Sequence, residues 1–408
     1  MKTYLVGGAV RDKLLGIDTQ DRDWVVVGSD APTLIAMGFK PVGKDFPVFL
    51  HPDTQEEYAL ARTERKSGHG YHGFVFHTAP DVTLEQDLAR RDLTINAMAL
   101  TESGDIIDPF GGQQDLQAGV LRHVSPAFKE DPVRVLRLAR FAARFGFSVA
   151  PETRQLIQEM IDSGELTHLV AERVWQELQL ALMSERPSLF FTCLREINAL
   201  AVLFPEVDRL FGVPQHPKWH PEIDTGVHVM MVLDQAARLS DDLVVRFAAL
   251  CHDLGKGTTP AEILPSHQGH EQRSVTLTKA LCQRLKVSGE LRSVALHTAR
   301  YHTQMHKLFE ISAQEVLEVI EALDAFRKPD RFQQYLLASE ADFRGRPGYE
   351  NTEMPEKAVM QSCFESASAV AVQPFIEQGL QGKAISEALR QARTGVIADV
   401  LDTHRPQH

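Results

Sequence analysis

The sequence predicts an α+β chain, a small α/β head with a mixed sheet followed by helices to the C-terminus. Three observations carry that reading. Residues 1 to about 110 alternate short β-rich runs with turns, among them V-F-L-H near 48, E-Y-A-L-A-R near 57 and I-I-D-P-F near 106. From about residue 115 onward, nearly every segment shows amphipathic helical spacing. The breaks fall at Pro126, Pro151, Pro187 and the Pro-rich loop F-G-V-P-Q-H-P-K-W-H-P at 211–221, the clearest domain boundary. At 408 residues the chain exceeds one ordinary core, so about two to four domains are expected.

Composition excludes several classes. With 43% hydrophobic and 24% charged residues, no long segment reads as disordered. No apolar run is long enough to span a membrane, and M-K-T-Y-L-V-G-G lacks the apolar core of a signal peptide. Cys193, Cys251, Cys282 and Cys363 are scattered without C-x-x-C spacing, which argues for reduced thiols in a cytoplasm. The net charge of −12 speaks against tight nonspecific binding of nucleic acid. It is uneven, however: Arg122, Lys129, Arg134, Arg137, Arg140 and Arg144 face only Glu130 and Asp131 across 122–144, a local basic stripe.

The chain begins Y-L-V-G-G-A-V-R-D-K-L-L-G, then D-R-D-W-V-V-V-G. This predicts a strand at 4–6, a turn at Gly7-Gly8, a helix over 10–15 ended by Gly16, and a second strand over 23–27 ended by Gly28. Asp21 and Asp23 are two apart at the mouth of that strand, and its period of two points both carboxylates to one face. Two hard oxygen ligands suit Mg²⁺, which leaves further positions to water and phosphate. The turn at Gly8 frees backbone N–H groups at a helix start for a triphosphate, and Arg11 can add a charged fork. A D-x-D pair alone is usually a solvated loop, and G-G alone a turn. Their succession within twenty residues is what points to nucleotidyl transfer.

Thr83 and Gln86 stand at capping-box spacing, with helical periodicity continuing through Leu88, Ile95 and Met98. Alone, Arg90-Arg91-Asp92 would be a solvated helix face. Asp131 before Pro132 is a helix cap, and on that helix Arg134, Arg137, Arg140 and Arg144 fall in one sector beside Val135, Leu138, Ala142 and Phe145. Glu64, in A-L-A-R-T-E-R-K, is a candidate third metal carboxylate. His69, His72 and His77 in the Gly-rich stretch after it read as solvent-facing.

The rear half holds 9 of the 17 histidines between His216 and His306. F-A-A-L-C-H-D-L-G-K-G sets His252 and Asp253 side by side in an apolar helix, with His228 upstream, G-H-E at 269–271 and S-E-A-D at 339–342. Imidazoles and carboxylates in that order suit a divalent ion that lowers the pKa of water, with His228, His252, Asp253 and Asp342 as ligands and His270 and His302 as further members. His297 and His306 are expected on helix surfaces. Mixed His/carboxylate ligation suits Ni²⁺, Mn²⁺ or Co²⁺ better than Mg²⁺.

G-G-A-V-R-D followed by D-R-D-W-V-V-V-G, with R-R-D-x-T-x-N-A and E-D-x-x-R, resembles the CCA-adding tRNA nucleotidyltransferases of the polymerase-β-like superfamily; H-D-L-G-K-G with its flanking histidines resembles the HD phosphohydrolases. The resemblance covers the whole chain and implies a nucleotidyltransferase head at 1–125, a helical neck at 126–212, an HD domain at 213–345 and a helical tail at 346–408. It implies catalysis by Mg²⁺ at Asp21 and Asp23, nucleotide contacts by Gly8, Arg11, Arg91, Arg137 and Arg140, and CTP and ATP chosen by Asp131 and Arg134. The physics of that choice is direct: cytosine and adenine both present an amino donor beside a ring-nitrogen acceptor, which suit a carboxylate and a guanidinium. The implied partner is the tRNA 3′ end and the implied state a monomer or homodimer. The HD domain implies phosphatase, 2′-nucleotidase and 2′,3′-cyclic phosphodiesterase activity. Two alternatives stay open: a poly(A) polymerase, which would be expected to end in a basic tail, and an HD hydrolase with an inactive front.

Overall fold

The computed structural model describes residues 1–19, 22–42, 48–66 and 74–405. It divides into two compact units, one of residues 1–178 and 189–203, the other of 179–188 and 204–408.

The first unit opens with β1 (Lys2–Val6), α1 (Gly8–Leu14), β2 (Asp23–Val27), α2 (Ala31–Ala36), β3 (Lys40–Val42), β4 (Val48–Leu50) and β5 (Glu57–Leu60). A ribbon of β6 (Arg62–Lys66) and β7 (Phe74–Thr78) follows, then α3 (Leu84–Ala89), β8 (Ala99–Leu100) and β9 (Ile106–Ile107). The main sheet has the order β3-β4-β5-β2-β1-β8-β9; β2 and β5 run parallel and the other pairs antiparallel. Both faces are covered, because successive strand residues point to opposite sides. Val25 packs with Val6, Leu84, Leu88 and Ala99, whereas Val26 packs with Leu34, Phe39, Phe49 and Leu60.

Gly16 and Gly28 take φ of 71° and 73°, closing α1 and β2 at the predicted glycines. The Thr83/Gln86 capping box forms as well. The helix predicted to continue from there does not. It ends at Ala89, and residues 94–96 make one 3₁₀ turn before β8. The cause is local: Asp92 turns its carboxylate onto the Leu93 N–H at 2.8 Å, which competes with helical backbone pairing, and onto the Asn96 side-chain amide at 3.0 Å, while the Thr94 N–H goes to the Arg122 carbonyl.

The chain continues with α4 (Gly112–Ala118), β10 (Val120–Leu121), α5 (Val133–Phe145), β11 (Ser148–Val149), α6 (Pro151–Asp162), α7 (Ala171–Leu182), α8 (Ser188–Glu196) and α9 (Leu200–Leu203), the end of α7 and the first residue of α8 falling in the second unit. Val135, Leu138 and Ala142 are buried on α5, as their spacing predicts, and Gly146 closes the helix at φ 71°.

The second unit contains α10 (Pro205–Asp208), α11 (Thr225–Leu239), α12 (Leu243–Cys251), α13 (His270–Arg284), α14 (Gly289–His306), α15 (Ala313–Ala322), α16 (Pro329–Arg344), α17 (Pro355–Ala369), α18 (Gln373–Glu377) and α19 (Lys383–His404). Met360, Cys363, Ile397 and Leu401 of α17 and α19 share one core with Met305, Val316, Ile320, Phe332 and Tyr335, so the last helices are built onto α14–α16. Among the described residues, no helix is long and apolar enough to cross a membrane.

Candidate active sites

In the first unit, Val6 pairs in register with Asp23, so the turn leaving β1 and the carboxylate opening β2 meet at one sheet end. Asp23 is exposed. Gly7 holds φ 69° and ψ −132°, a conformation open to glycine, and a Cβ there would lie 2.8 Å from Arg91 Nη1. A Cβ on Gly8 would lie 3.3 Å from Arg11 Nη2. Two guanidinium groups therefore rest against bare glycine backbone, a cradle that side chains would fill. Burial lowers the Arg91 pKa, while Asp87 and Asp23 act to raise it, and Arg91 Nε is buried without a hydrogen-bond partner.

Arg11 is only 3% exposed. Its Nε donates to Asp12 Oδ1 at 2.8 Å and its Nη1 to Asn96 Oδ1 at 2.5 Å, and it lies 5.0 Å from the ring centroids of both Phe141 and Phe145. Asp92 is buried as well and accepts from Arg137 Nε at 2.8 Å. Burial alone would raise its carboxyl, but Arg137 and Asn96 hold it well below the usual carboxylate range.

The basic stripe over 122–144 is largely paired. Arg140 donates to Glu177 at 2.6 Å and Arg144 to Asp12 at 3.0 Å, while Arg122 meets Asp115 and Lys129 meets Glu159. Expectation and structure differ here because the partner carboxylates lie 7 to 132 residues away in sequence. Arg134 donates to the carbonyls of Arg90 at 2.6 Å and Ala127 at 3.0 Å. Asp131 was expected to cap α5; Pro132 takes the capping position instead, Asp131 accepts the Val133 N–H at 3.2 Å from one residue before it, and it also forms a two-pronged pair with Arg173 at 2.9 and 2.7 Å. Arg173, Glu177 and Asp12 were not singled out by the sequence reading. Asp21, His69 and His72 lie outside the described residues, and Glu64 stands on β6 in register with Phe76.

The second unit brings His228, His252, His270 and His302 into one largely buried cluster. His228 Nε2 is 3.0 Å from Asp342 Oδ1, and His252 Nε2 is 3.3 Å from Asp253 Oδ2 and 3.6 Å from Asp342 Oδ1. His270 and His302 place Nε2 at 3.3 and 3.4 Å from Asp253 Oδ1. All the expected ligands thus converge, with His302 among them. His306 differs from expectation: the last turn of α14 carries it to 2.7 Å from Asp342 Oδ2. Glu222 was also unforeseen and lies 2.9 Å from both His220 Nδ1 and His228 Nδ1. Lys256 binds Asp253 at 2.6 Å and Gln215 at 2.7 Å.

This donor set suits a divalent cation. The Nδ1 atoms of His252, His270 and His302 face the carbonyls of Ala249, His267 and Thr298 at 2.6 to 3.1 Å, so each ring turns Nε2 toward the carboxylates. His252 Nε2 and Asp253 Oδ1 are buried and make no hydrogen bond. The ligand atoms of His228, His252 and Asp342 all lie within 4.8 Å of one another, as do those of Asp253, His270 and His302. Burial opposes the charged form of His252, yet Asp253 and Asp342 push it up to about 10. Burial would raise Glu222 too, but His220 and His228 bring it down to about 2.

Residues 3–122 match the poly A polymerase head domain, 146–211 the probable RNA and SrmB-binding site of polymerase A, and 225–328 the HD domain. A multifunctional CCA protein of Thioalkalivibrio sulfidiphilus is 60% identical over 400 residues, covering 97% of this chain and 98% of that one. One of Nitrosococcus oceani is 57% identical over 405 residues, covering 99% and 100%. Among solved structures, a CCA-adding enzyme in complex with CTP superposes with a TM-score of 0.63 at 21% identity, covering 98% of this chain and 90% of that one. That likeness shows a shared fold.

Proposed function

This chain belongs to the multifunctional CCA proteins, and from that premise we propose two reactions in one polypeptide. The first unit adds C, C and A to the 3′ end of tRNA from CTP and ATP without a template. The second hydrolyses phosphoesters, as a phosphatase, 2′-nucleotidase and 2′,3′-cyclic phosphodiesterase, which suits the clearing of damaged tRNA ends. The four buried, unpaired cysteines fit a reducing cytoplasm.

The observation that carries the first reaction is the convergence of Asp23, the bare Gly7-Gly8 turn and Arg91 at one sheet end. Asp21 and Asp23 would hold Mg²⁺, which when bound would supply charge neutralisation at the phosphates and activation of the terminal 3′-hydroxyl. Gly7 and Gly8 let a triphosphate approach the backbone, with Arg91 beside it as a fixed cation. Arg11 braces Asn96 and the α5 aromatic rings from beneath. Asp131 accepts from the amino group of cytosine or adenine, and Arg134, steadied by two carbonyls, donates to the ring nitrogen. Uracil and guanine offer a carbonyl and a ring N–H there and leave both groups mismatched. Arg137 and Arg140, anchored by Asp92 and Glu177, face the phosphates or sugar.

In the second unit, His228, His252, Asp253 and Asp342, with His270 and His302, would hold Ni²⁺ or another transition divalent ion. When bound, that ion supplies a water of lowered pKa. Glu222 and His306 orient His228 and Asp342, and Lys256 offsets the charge of Asp253.

The test offers a tRNA ending at its discriminator base to the purified protein with Mg²⁺ and each labelled nucleotide in turn. Two C and then one A, with UTP and GTP refused, is the expected result. Runs of A without CTP would move the first unit to the polyadenylating class.

A further inference from the structure

We propose that Arg173 is a positioning residue for nucleotide choice: it fixes the Asp131 carboxylate as a single, directed hydrogen-bond acceptor. This rests on the reading of Asp131 as the group that meets the base amino donor.

The geometry is specific. Arg173 Nη1 donates to Asp131 Oδ1 at 2.9 Å and Nη2 to Oδ2 at 2.7 Å, so the guanidinium and carboxylate meet as paired forks. Oδ1 also accepts the Val133 N–H at 3.2 Å. A carboxylate oxygen has about two lone-pair directions. The two bonds to Oδ1 use both of its directions, and the one bond to Oδ2 leaves one there. A carboxylate that could otherwise rotate is thereby held with one remaining acceptor direction, which suits one amino hydrogen. A free carboxylate could turn instead to meet the ring N–H of uracil or guanine.

The same helix face grips the rest of the selecting helix. Glu177 stands four residues after Arg173 on α7, hence above it on one face. It is 8% exposed and takes Arg140 at 2.6 Å and Arg137 at 3.9 Å. The donor half of the template is held differently: Arg134 is steadied by the carbonyls of Arg90 and Ala127, which no side-chain substitution removes. Apart from the Val133 N–H, the acceptor half depends on one side chain, and that is where selectivity is most easily lost.

The experiment measures single-turnover incorporation from CTP and from UTP on a tRNA ending at its discriminator base. Arg173→Ala should reduce the CTP-over-UTP preference on the order of 100-fold, the cost of losing a fixed orientation. Arg173→Lys keeps the charge without the fork and should stay nearer alanine than arginine. Combining Asp131→Ala with Arg173→Ala should cost no more preference than Asp131→Ala alone, since the two act as one unit. Hydrolysis of a 2′,3′-cyclic phosphate and the melting curve report whether each variant is folded. If Arg173→Ala fails to fold, the lysine variant carries the test. Equal losses with CTP and UTP, or additive losses in the double variant, would assign Arg173 a structural role only and overturn the proposal. A wild-type protein that accepts UTP as readily as CTP would refute the selection reading itself, and this role with it.

Discussion

The two candidate sites are built from opposite materials. The first unit's site is a mesh of arginines and carboxylates closed by ordinary ion pairs, with Asp23 exposed at its edge. The second unit's site is a buried knot in which His252 Nε2 and Asp253 Oδ1 find no hydrogen bond. That mesh pairs most of its own charges, leaving Arg91 Nε without a hydrogen bond, and can present a shaped surface to a polyanion. Buried polar atoms that lack a hydrogen bond are costly, and a bound cation offsets that cost. The contrast teaches that one chain can carry two metal-dependent domains whose candidate sites differ, one at an exposed sheet end and the other a buried cluster of imidazoles and carboxylates.

The largest effect is expected in the cage. Asp253→Ala removes the carboxylate that touches His252, His270 and His302, and should lower hydrolysis by about 10³-fold or more, the scale of losing a key electrostatic group. Nucleotide addition by the same preparation should stay within about twofold. Next comes its outer support. Glu222→Gln should weaken transition-metal affinity by roughly 10–100-fold, read by competition against a chromogenic chelator. An affinity equal to wild type would show that Glu222 does not orient His228.

In the mesh, Asp92→Ala strips Arg137 and Asn96 of their shared acceptor. It should destabilise the first unit by about 2 kcal/mol in denaturant titration, the scale of hydrogen bonds to a charged group. An unchanged midpoint would mean the mesh is slack.

The smallest effect is a pH trend. His252 is raised from 6.5 to about 10, so in chelated protein its contribution to stability is full below pH 6.5 and lost as pH rises through 10. Asp253 and Asp342 are lowered from 3.8, so theirs is present above 3.8 and lost on acidification. The melting temperature of chelated protein should therefore fall from pH 6.5 toward 10, and metal addition should restore most where the loss is largest. A melting temperature that rises over that window would contradict the charge assignment.

Much of this was legible because the signals were local. Glycines at 7, 16 and 28, the Thr83 capping box and the helix start at Asp131-Pro132 are decided within a few residues. His252 and Asp253 were legible as adjacent groups on an apolar helix. What the sequence could not give were pairings across the fold. Arg144 finds Asp12 over 132 residues, Arg173 finds Asp131 over 42, and His306 finds Asp342 over 36. The basic stripe looked free because its counter-charges belong to other elements. His306 looked superficial because periodicity places a residue on a helix face without saying what packs there. The helix over 83–100 was overextended because a buried Asp92 overrides propensity. Glu222 and Asp12 had nearby clues, Glu222 two residues from His220 just past the Pro-rich loop and Asp12 next to Arg11.

The measurement that tests the separation of the two sites most directly is Asp23→Asn, assayed for both reactions on one preparation. The expected result is loss of C and A incorporation by about 10³-fold with hydrolysis of a 2′,3′-cyclic phosphate unchanged. A matching loss of both reactions would contradict two independent sites.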